Sequence, residues 1–296
     1  MYSILPHTMQ GFKLSQDRVT RSYFSQVDIR VEKDKKTVHN TVATEFHLTH
    51  YGHDKERRPL YRWEVINRFL LNERGNIIKK LKKAQRIALM VATINDRLEF
   101  VVDKSFQLVA VTNTQEIRDK WREVRSELLD EFPDLVEMAT DFDWQLKEEN
   151  IQQVFLNDNF FTTLFSGFFD EGLEPKQIKH RNRIMANAVE RIDIPMIETS
   201  TLMRGKSFSN DARIKVIGDF DIAHKKFPKA KLNTFLGDIA EKAGDKHTLT
   251  FDYNGQYIVK PEEGVIVKAA VTSCFKIDGL YQKTINITFN MEEDER

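Results

Sequence analysis

His47, His50 and His53 are the first residues whose types could do chemistry. Imidazole is the commonest zinc ligand, and three of them would leave a coordination position open. Their spacing argues the other way. On an extended strand residue 50 points away from residues 47 and 53, and Gly52 with Asp54 puts the last histidine in a turn. Asp219, Asp221 and His224 are a second weak candidate for a cation, two carboxylates on one strand face followed by an imidazole. A strand end breaking into a polar turn before Phe227 and Pro228 calls for the same residue types. Asp141 and Asp143 read as carboxylates at the positive end of a following helix. No metal and no other cofactor is expected from these groups.

Nucleophilic chemistry has less support. Cys274 is the single cysteine and lies in an alternating strand pattern, where it reads as a small buried apolar residue. It cannot form an internal disulfide, which fits a reducing cytosol. Glycine-rich phosphate loops, the dinucleotide fingerprint and the nucleophile elbow are all absent from a chain with 12 Gly. The expectation is a protein without catalytic activity.

Two other clusters point to binding. Lys79, Lys80, Lys82, Lys83 and Arg86 fall opposite the helical stripe Ile77, Leu81, Ala84, Ala88 and Val91, so a basic amphipathic helix is expected from Asn76. Five cations could neutralise phosphates, but no aromatic platform accompanies them and nucleic acid is not the expected partner. Residues 159–169, NFFTTLFSGFF, are too short to cross a bilayer, which takes about 20 residues. Burial against a sheet is their first reading and an aromatic docking site the second. On the docking reading Phe160, Phe161, Phe165, Lys79 and Lys83 contact a protein partner or a second copy of the chain.

The elements that must position these groups follow from hydrophobic periodicity. Val42, Thr44, Phe46 and Leu48 alternate with polar residues, and a second strand runs over residues 60–71, which together predict an antiparallel meander. A short hairpin is expected at residues 97–112. After it Ile117, Trp121, Val124 and Leu128 mark a helix that starts near Asn113 and ends before Phe132. More helix is expected over residues 144–155. Beyond a linker at residues 172–183 come strands at 191–199 and 212–221, and a helix at 231–243. A hairpin turning at Asn254 and Gly255 follows, then two strands joined at Asp278 and Gly279.

The 45 basic and 45 acidic side chains balance, which argues against a chain held to nucleic acid by a large positive field. They are not evenly spread. Residues 1–100 carry 19 Lys+Arg against 11 Asp+Glu, and residues 101–172 carry 6 against 16, so the two regions attract within one molecule or between copies. The opening residues lack the features of a signal peptide, and no apolar run is long enough for a membrane span.

These observations predict an α+β fold: mainly an antiparallel curved sheet or open half-barrel, with helices packed on one face. Two related halves are included in that expectation, because residues 98–108 loosely echo residues 249–259. The division falls between a strand meander with helices, residues 1–172, and a strand-rich second half, residues 173–296. The expected function is a protein-binding or scaffold subunit of a larger cytosolic assembly of bacterial type. The alternatives are a binding protein for a small apolar molecule or lipid, and a metal-dependent hydrolase without a recognised motif.

Overall fold

The computed structural model describes residues 14–15, 17–33, 35–169, 177–203, 211–243, 248–261 and 263–292, without the side chains of 240–243. Eleven strands form one antiparallel sheet. They are β1 (Thr20–Lys33), β2 (Lys36–His53), β3 (Pro59–Leu71), β4 (Arg97–Val102), β5 (Leu108–Val111), β6 (Ile178–Val189), β7 (Ile192–Met203), β8 (Ala212–Phe220), β9 (Thr250–Lys260), β10 (Val265–Ile277) and β11 (Tyr281–Met291). Their order across the sheet is β5-β4-β3-β2-β1-β11-β10-β9-β8-β7-β6. The described strands therefore begin at the centre, walk out to the β5 edge, and return from the β6 edge to the centre. There β1 pairs with β11, from Tyr23 opposite Met291 to Lys33 opposite Tyr281.

This corrects the α+β expectation. The sheet is the fold, it is not closed, and the helices are few and short: α1 (Lys83–Ala92), α2 (Thr114–Glu131), α3 (Val136–Gln145), α4 (Glu148–Leu156), α5 (Asn159–Leu164) and α6 (Lys229–Ala243). The related halves fall with it, because residues 97–111 form the hairpin β4–β5 whereas residues 250–259 belong to the single strand β9. The connection in which the division at residue 172 was placed lies outside the described residues.

Asn254 and Gly255 illustrate why. Asparagine-glycine is the strongest short hairpin signal, yet β9 runs straight through it and Gly255 pairs with Val271 on one side and Val216 on the other. A β-carbon on Gly255 would stand 2.8 Å from Val271 Cγ2 and 2.9 Å from the Ala270 carbonyl oxygen. Glycine is there so that neighbouring strands can approach closely, not so that the chain can turn. Asp278 and Gly279 do make the expected turn, with Gly279 at φ +72°.

The basic helix is shorter than its periodicity implied. Ile77 bridges back to Leu71, and only Lys83 and Arg86 of the five cations lie on α1. Those two pair with Asp134 and Glu131, and Arg97 reaches Glu116. The basic first region and the acidic middle thus meet within one molecule. The helix expected over residues 144–155 is interrupted, so that α3 ends and α4 begins within it. Ile117, Trp121, Val124 and Leu128 are the buried face of α2, as their spacing predicts. Asn113 does not cap α2 with its side chain, which instead bonds the backbone of Arg97 and Glu99 on β4.

The core is one connected cluster with many aromatic rings among its aliphatic side chains. Phe46 stacks on Trp63 at 3.8 Å between ring centroids, Phe161 and Phe165 of the α5 segment each lie 5.0 Å from Phe100, and Phe168 meets Tyr257 edge-on at 4.7 Å. A second pile, Phe220, Phe251 and Phe275, lies towards α6, whose Phe235 meets Tyr281 at 5.2 Å. Each fully buried ring contributes about 1.5–3 kcal/mol of transfer free energy.

The pairing can be tested at two glycines. Gly255→Val is expected to cost about 1–3 kcal/mol through overpacking between β8, β9 and β10. Gly237→Ala, in open space on α6, should gain about 0.5–1 kcal/mol. Urea midpoints of the two variants give the comparison, and an unchanged midpoint for Gly255→Val would contradict the pairing described.

Candidate functional site

Residues 159–169 hold the site together because both free edges of the sheet attach to them. Asp158 caps α5 by accepting the backbone N–H groups of Phe160 and Phe161, each at 2.9 Å. On the β5 side the N–H groups of Gly167 and Phe169 donate to the carbonyls of Phe106 and Ser105. On the β6 side Arg181 donates to the carbonyls of Phe165 and Thr162, and Lys179 to that of Gly167. The edge-facing backbone of Val111 on β5 is matched by the side-chain amide of Gln152, which both donates and accepts.

A buried ionic cluster anchors this attachment. Glu198 is fully buried on β7, opposite Arg181 of β6, and takes Arg181 at 2.8 Å and Arg183 at 2.7 Å. The Tyr253 hydroxyl donates to Glu198 at 2.5 Å and accepts from Arg183 at 2.6 Å. Arg183 also reaches the Thr162 hydroxyl. Burial alone would raise the Glu198 pKa, but the two guanidinium groups and the Tyr253 hydroxyl outweigh it and hold the carboxyl below its ordinary range. At Asp158 burial prevails over the two backbone N–H groups and Arg183, and the pKa is raised.

Between the β6 edge and α4 lies a trough of three adjoining clefts, of about 340, 480 and 560 Å³. Gln153 of α4 and Asn157 just after it line all three, Ile184 of β6 lines the first two, and Arg191 and Asp193 line the second and third. The first has apolar walls of Leu108, Leu156 and Phe165 with Arg181 and Arg183 at its base. The second is bounded by Phe227 and Pro228 and by the start of α6. The third is walled by Met138, Phe142 and Trp144, and Trp144 is 60% exposed. Apolar walls interleaved with side-chain amides suit an amphiphilic occupant.

The residues singled out in the sequence lie mostly elsewhere. His50 is buried, and both its ring nitrogens face backbone carbonyls, those of Asp17 and Gly52, at 2.9 Å. Its ring meets that of His53 edge-on at 5.1 Å, contrary to the expectation that they point apart. The cause is the irregular pairing of β2 with β3 between His50 and Gly52, which shifts the alternation and carries β2 through His53. His47 is half-buried on β2, before that irregularity.

Asp219 is exposed near the end of β8, and Asp221 and His224 form the turn after it. The Asp221 N–H donates to the Pro195 carbonyl, and His224 Nδ1 accepts the N–H of Lys226. Among the described residues no three His, Cys, Asp or Glu side chains gather in a way that could hold a metal ion. Asp141 and Asp143 lie late in α3 instead of before a helix, and Asp143 accepts from Trp121 and Arg125 of α2. Cys274 is half-buried, 3.7 Å from the Thr284 hydroxyl.

Of the nominated partner contacts, Phe161 and Phe165 are buried, and Phe160 packs edge-on against Phe46 and Trp63. Lys79 is exposed, and Lys83 sits over the Phe132 ring while paired with Asp134. Sequence reasoning missed the trough, and it missed Arg181, Arg183 and Glu198. The cluster did leave a signal: Glu198 shares its alternation with Ile194, Met196, Ser200 and Leu202, all buried, so it stood at an inward position.

No family model and no curated protein matches the chain. Among solved structures it is similar to lipovitellin, from a study of lipid–protein interactions, at 11% identity and a TM-score of 0.49. That likeness covers 96% of this chain and 25% of the other, so the chain spans about a quarter of lipovitellin's length. It is also similar to Ail, the attachment invasion locus protein of Yersinia pestis, at 6% identity and a TM-score of 0.15, over 92% of this chain and 96% of that one. Neither likeness is close enough to define a fold family. Among the described residues no helix is long and apolar enough to cross a membrane.

Glu198→Gln is expected to destabilise the protein by about 3–5 kcal/mol, because the buried Arg183 and the half-buried Arg181 lose their counter-charge. A carboxyl whose pKa is lowered on folding contributes stability that is full above its unfolded pKa and is lost as pH falls through the folded one. The gap between wild type and Glu198→Gln should therefore narrow on acidification from about 4.5 downwards. Urea denaturation across pH 3–7 measures it, and a gap independent of pH would refute the assignment.

Proposed function

We propose that this protein binds a small apolar or amphiphilic molecule, such as a lipid, in the trough between the β6 edge and α4. The observation that carries this reading is the continuity of the three clefts: Gln153 and Asn157 line every one, so a single elongated molecule can occupy them together. Aromatic and aliphatic walls supply transfer free energy at about 25 cal/mol per Å² of apolar surface removed from water. The amides of Gln153, Asn157 and Asn182 can orient polar parts of the occupant. The sheet face beneath α5 is filled by phenylalanine rings, which directs a ligand to the trough instead of the sheet interior. Phe161 and Phe165, two of the residues expected to dock a partner, are buried.

Nile red, a neutral apolar dye, tests the reading. The wild-type protein should enhance and blue-shift its fluorescence saturably. Gln153→Trp, which places bulk where all three clefts meet, should weaken binding about tenfold. Gln153 is exposed, so the melting temperature should move by no more than about 2 °C. Absence of saturable binding, or binding indifferent to Gln153→Trp, would overturn the proposal.

A further inference from the structure

The cleft of about 480 Å³ at the start of α6 differs from its neighbours in charge. Arg191, Lys226, Lys229 and Lys231 line it, all exposed, against one carboxylate, Asp193. Among the described residues none of these four cations has an ion-pair partner, whereas Arg181 and Arg183 beside the neighbouring cleft are spent on Glu198. Asp193 is itself occupied, accepting the backbone N–H of Asn187 at 2.7 Å. No acidic residue stands in the first turn of α6, so the positive end of that helix adds to the same field. The adjoining cleft of about 560 Å³ shares Arg191 and Asp193 but holds none of the three lysines, and it adds Met138, Phe142, Trp144 and a second carboxylate, Asp141.

We infer that the ligand is an amphiphile with an anionic head, a carboxylate or a phosphate ester, seated among Arg191, Lys226, Lys229 and Lys231 with its apolar tail towards Phe142 and Trp144. The inference rests on the proposed trough and gives it a direction. Four unpaired cations at one end of a cleft attract an anion over about a Debye length, and guanidinium and ammonium groups bond carboxylate or phosphate oxygens directly. The amides of Gln153 and Asn157, and Arg191 with Asp193, lie where the two clefts share a wall, so head and tail subsites are continuous. Asp141 disfavours an anion at the tail end and thereby opposes the reversed orientation.

The experiment compares cis-parinaric acid with its methyl ester, which share a tail and differ in head charge, on the full chain. Binding is read by fluorescence for wild type and for the triple variant Lys226→Gln, Lys229→Gln, Lys231→Gln, which leaves Arg191 and the shared wall of the two clefts intact. The acid should bind at least about tenfold more tightly than the ester in low salt. The triple variant should abolish that difference while leaving ester binding unchanged. Lysophosphatidic acid, oleate and inorganic phosphate then serve as competitors. Displacement by the two amphiphiles at micromolar concentration, with phosphate effective only at millimolar concentration or not at all, supports an amphiphile. Displacement by phosphate as strongly as by the amphiphiles overturns it in favour of a free-anion site. Equal binding of acid and ester overturns the inference and leaves the apolar-ligand proposal standing. Binding of neither probe removes the proposal itself. An unaltered melting temperature in the triple variant confirms that the exposed residues changed affinity and not folding.

Discussion

Two guanidinium groups sharing one buried carboxylate decide how the two ends of this sheet are held. Arg181 and Arg183 would be untenable inside an apolar face without Glu198, and Glu198 would be untenable without them. Held there, Arg181 bonds what an ordinary core cannot satisfy, the carbonyls of Thr162 and Phe165 at the end of α5, while Arg183 reaches the Thr162 hydroxyl. That fixes a phenylalanine-rich segment across the sheet. Phe161 and Phe165 then complete the aromatic core around Phe100, and Gly167 and Phe169 secure the β4–β5 turn.

The trough is a by-product of the same arrangement. The β5 edge is satisfied by Gln152 and by the bridge from Gln107 to Ser166, whereas α4 stands off from β6 and leaves clefts along it. Charge is sorted along that gap partly by sequence, since Lys226, Lys229 and Lys231 fall within six residues. Arg191 comes from the β6–β7 turn, Lys226 from the loop after β8, and Lys229 and Lys231 from the start of α6. The fold is what brings Arg191 beside the three lysines.

Much of the architecture was legible because it rests on local rules. The alternation in β2, the buried stripe of α2 and the turn at Asp278 and Gly279 each follow from period or from a permitted dihedral. Failures came where tertiary contact overrode the local signal. Asn254 and Gly255 lost their turn to close strand packing, and the lysine-rich segment lost the start of its helix where Ile77 bridges to Leu71. The size of the sheet was hidden for a related reason: alternation identifies strands, but not that the first described strand lies beside the last. The candidate site was scarcely legible. Gln153, Asn157, Ile184 and Arg191 are unremarkable surface types, and only Glu198 broke an inward apolar pattern in a way that marks function or constraint.

The central position of the β1–β11 pair has a consequence for how such a chain acquires its shape. Tyr23 faces Met291 across that seam, so the middle of the sheet joins residues separated by nearly the whole described sequence. A ribosome must finish β11 before β1 gains its second neighbour, and until then β1 is an unprotected edge open to promiscuous pairing. Such distant closure also raises the contact order, which slows folding and lengthens that exposure. A chaperone that shields nascent β1 would act at the most vulnerable stage of this protein's synthesis.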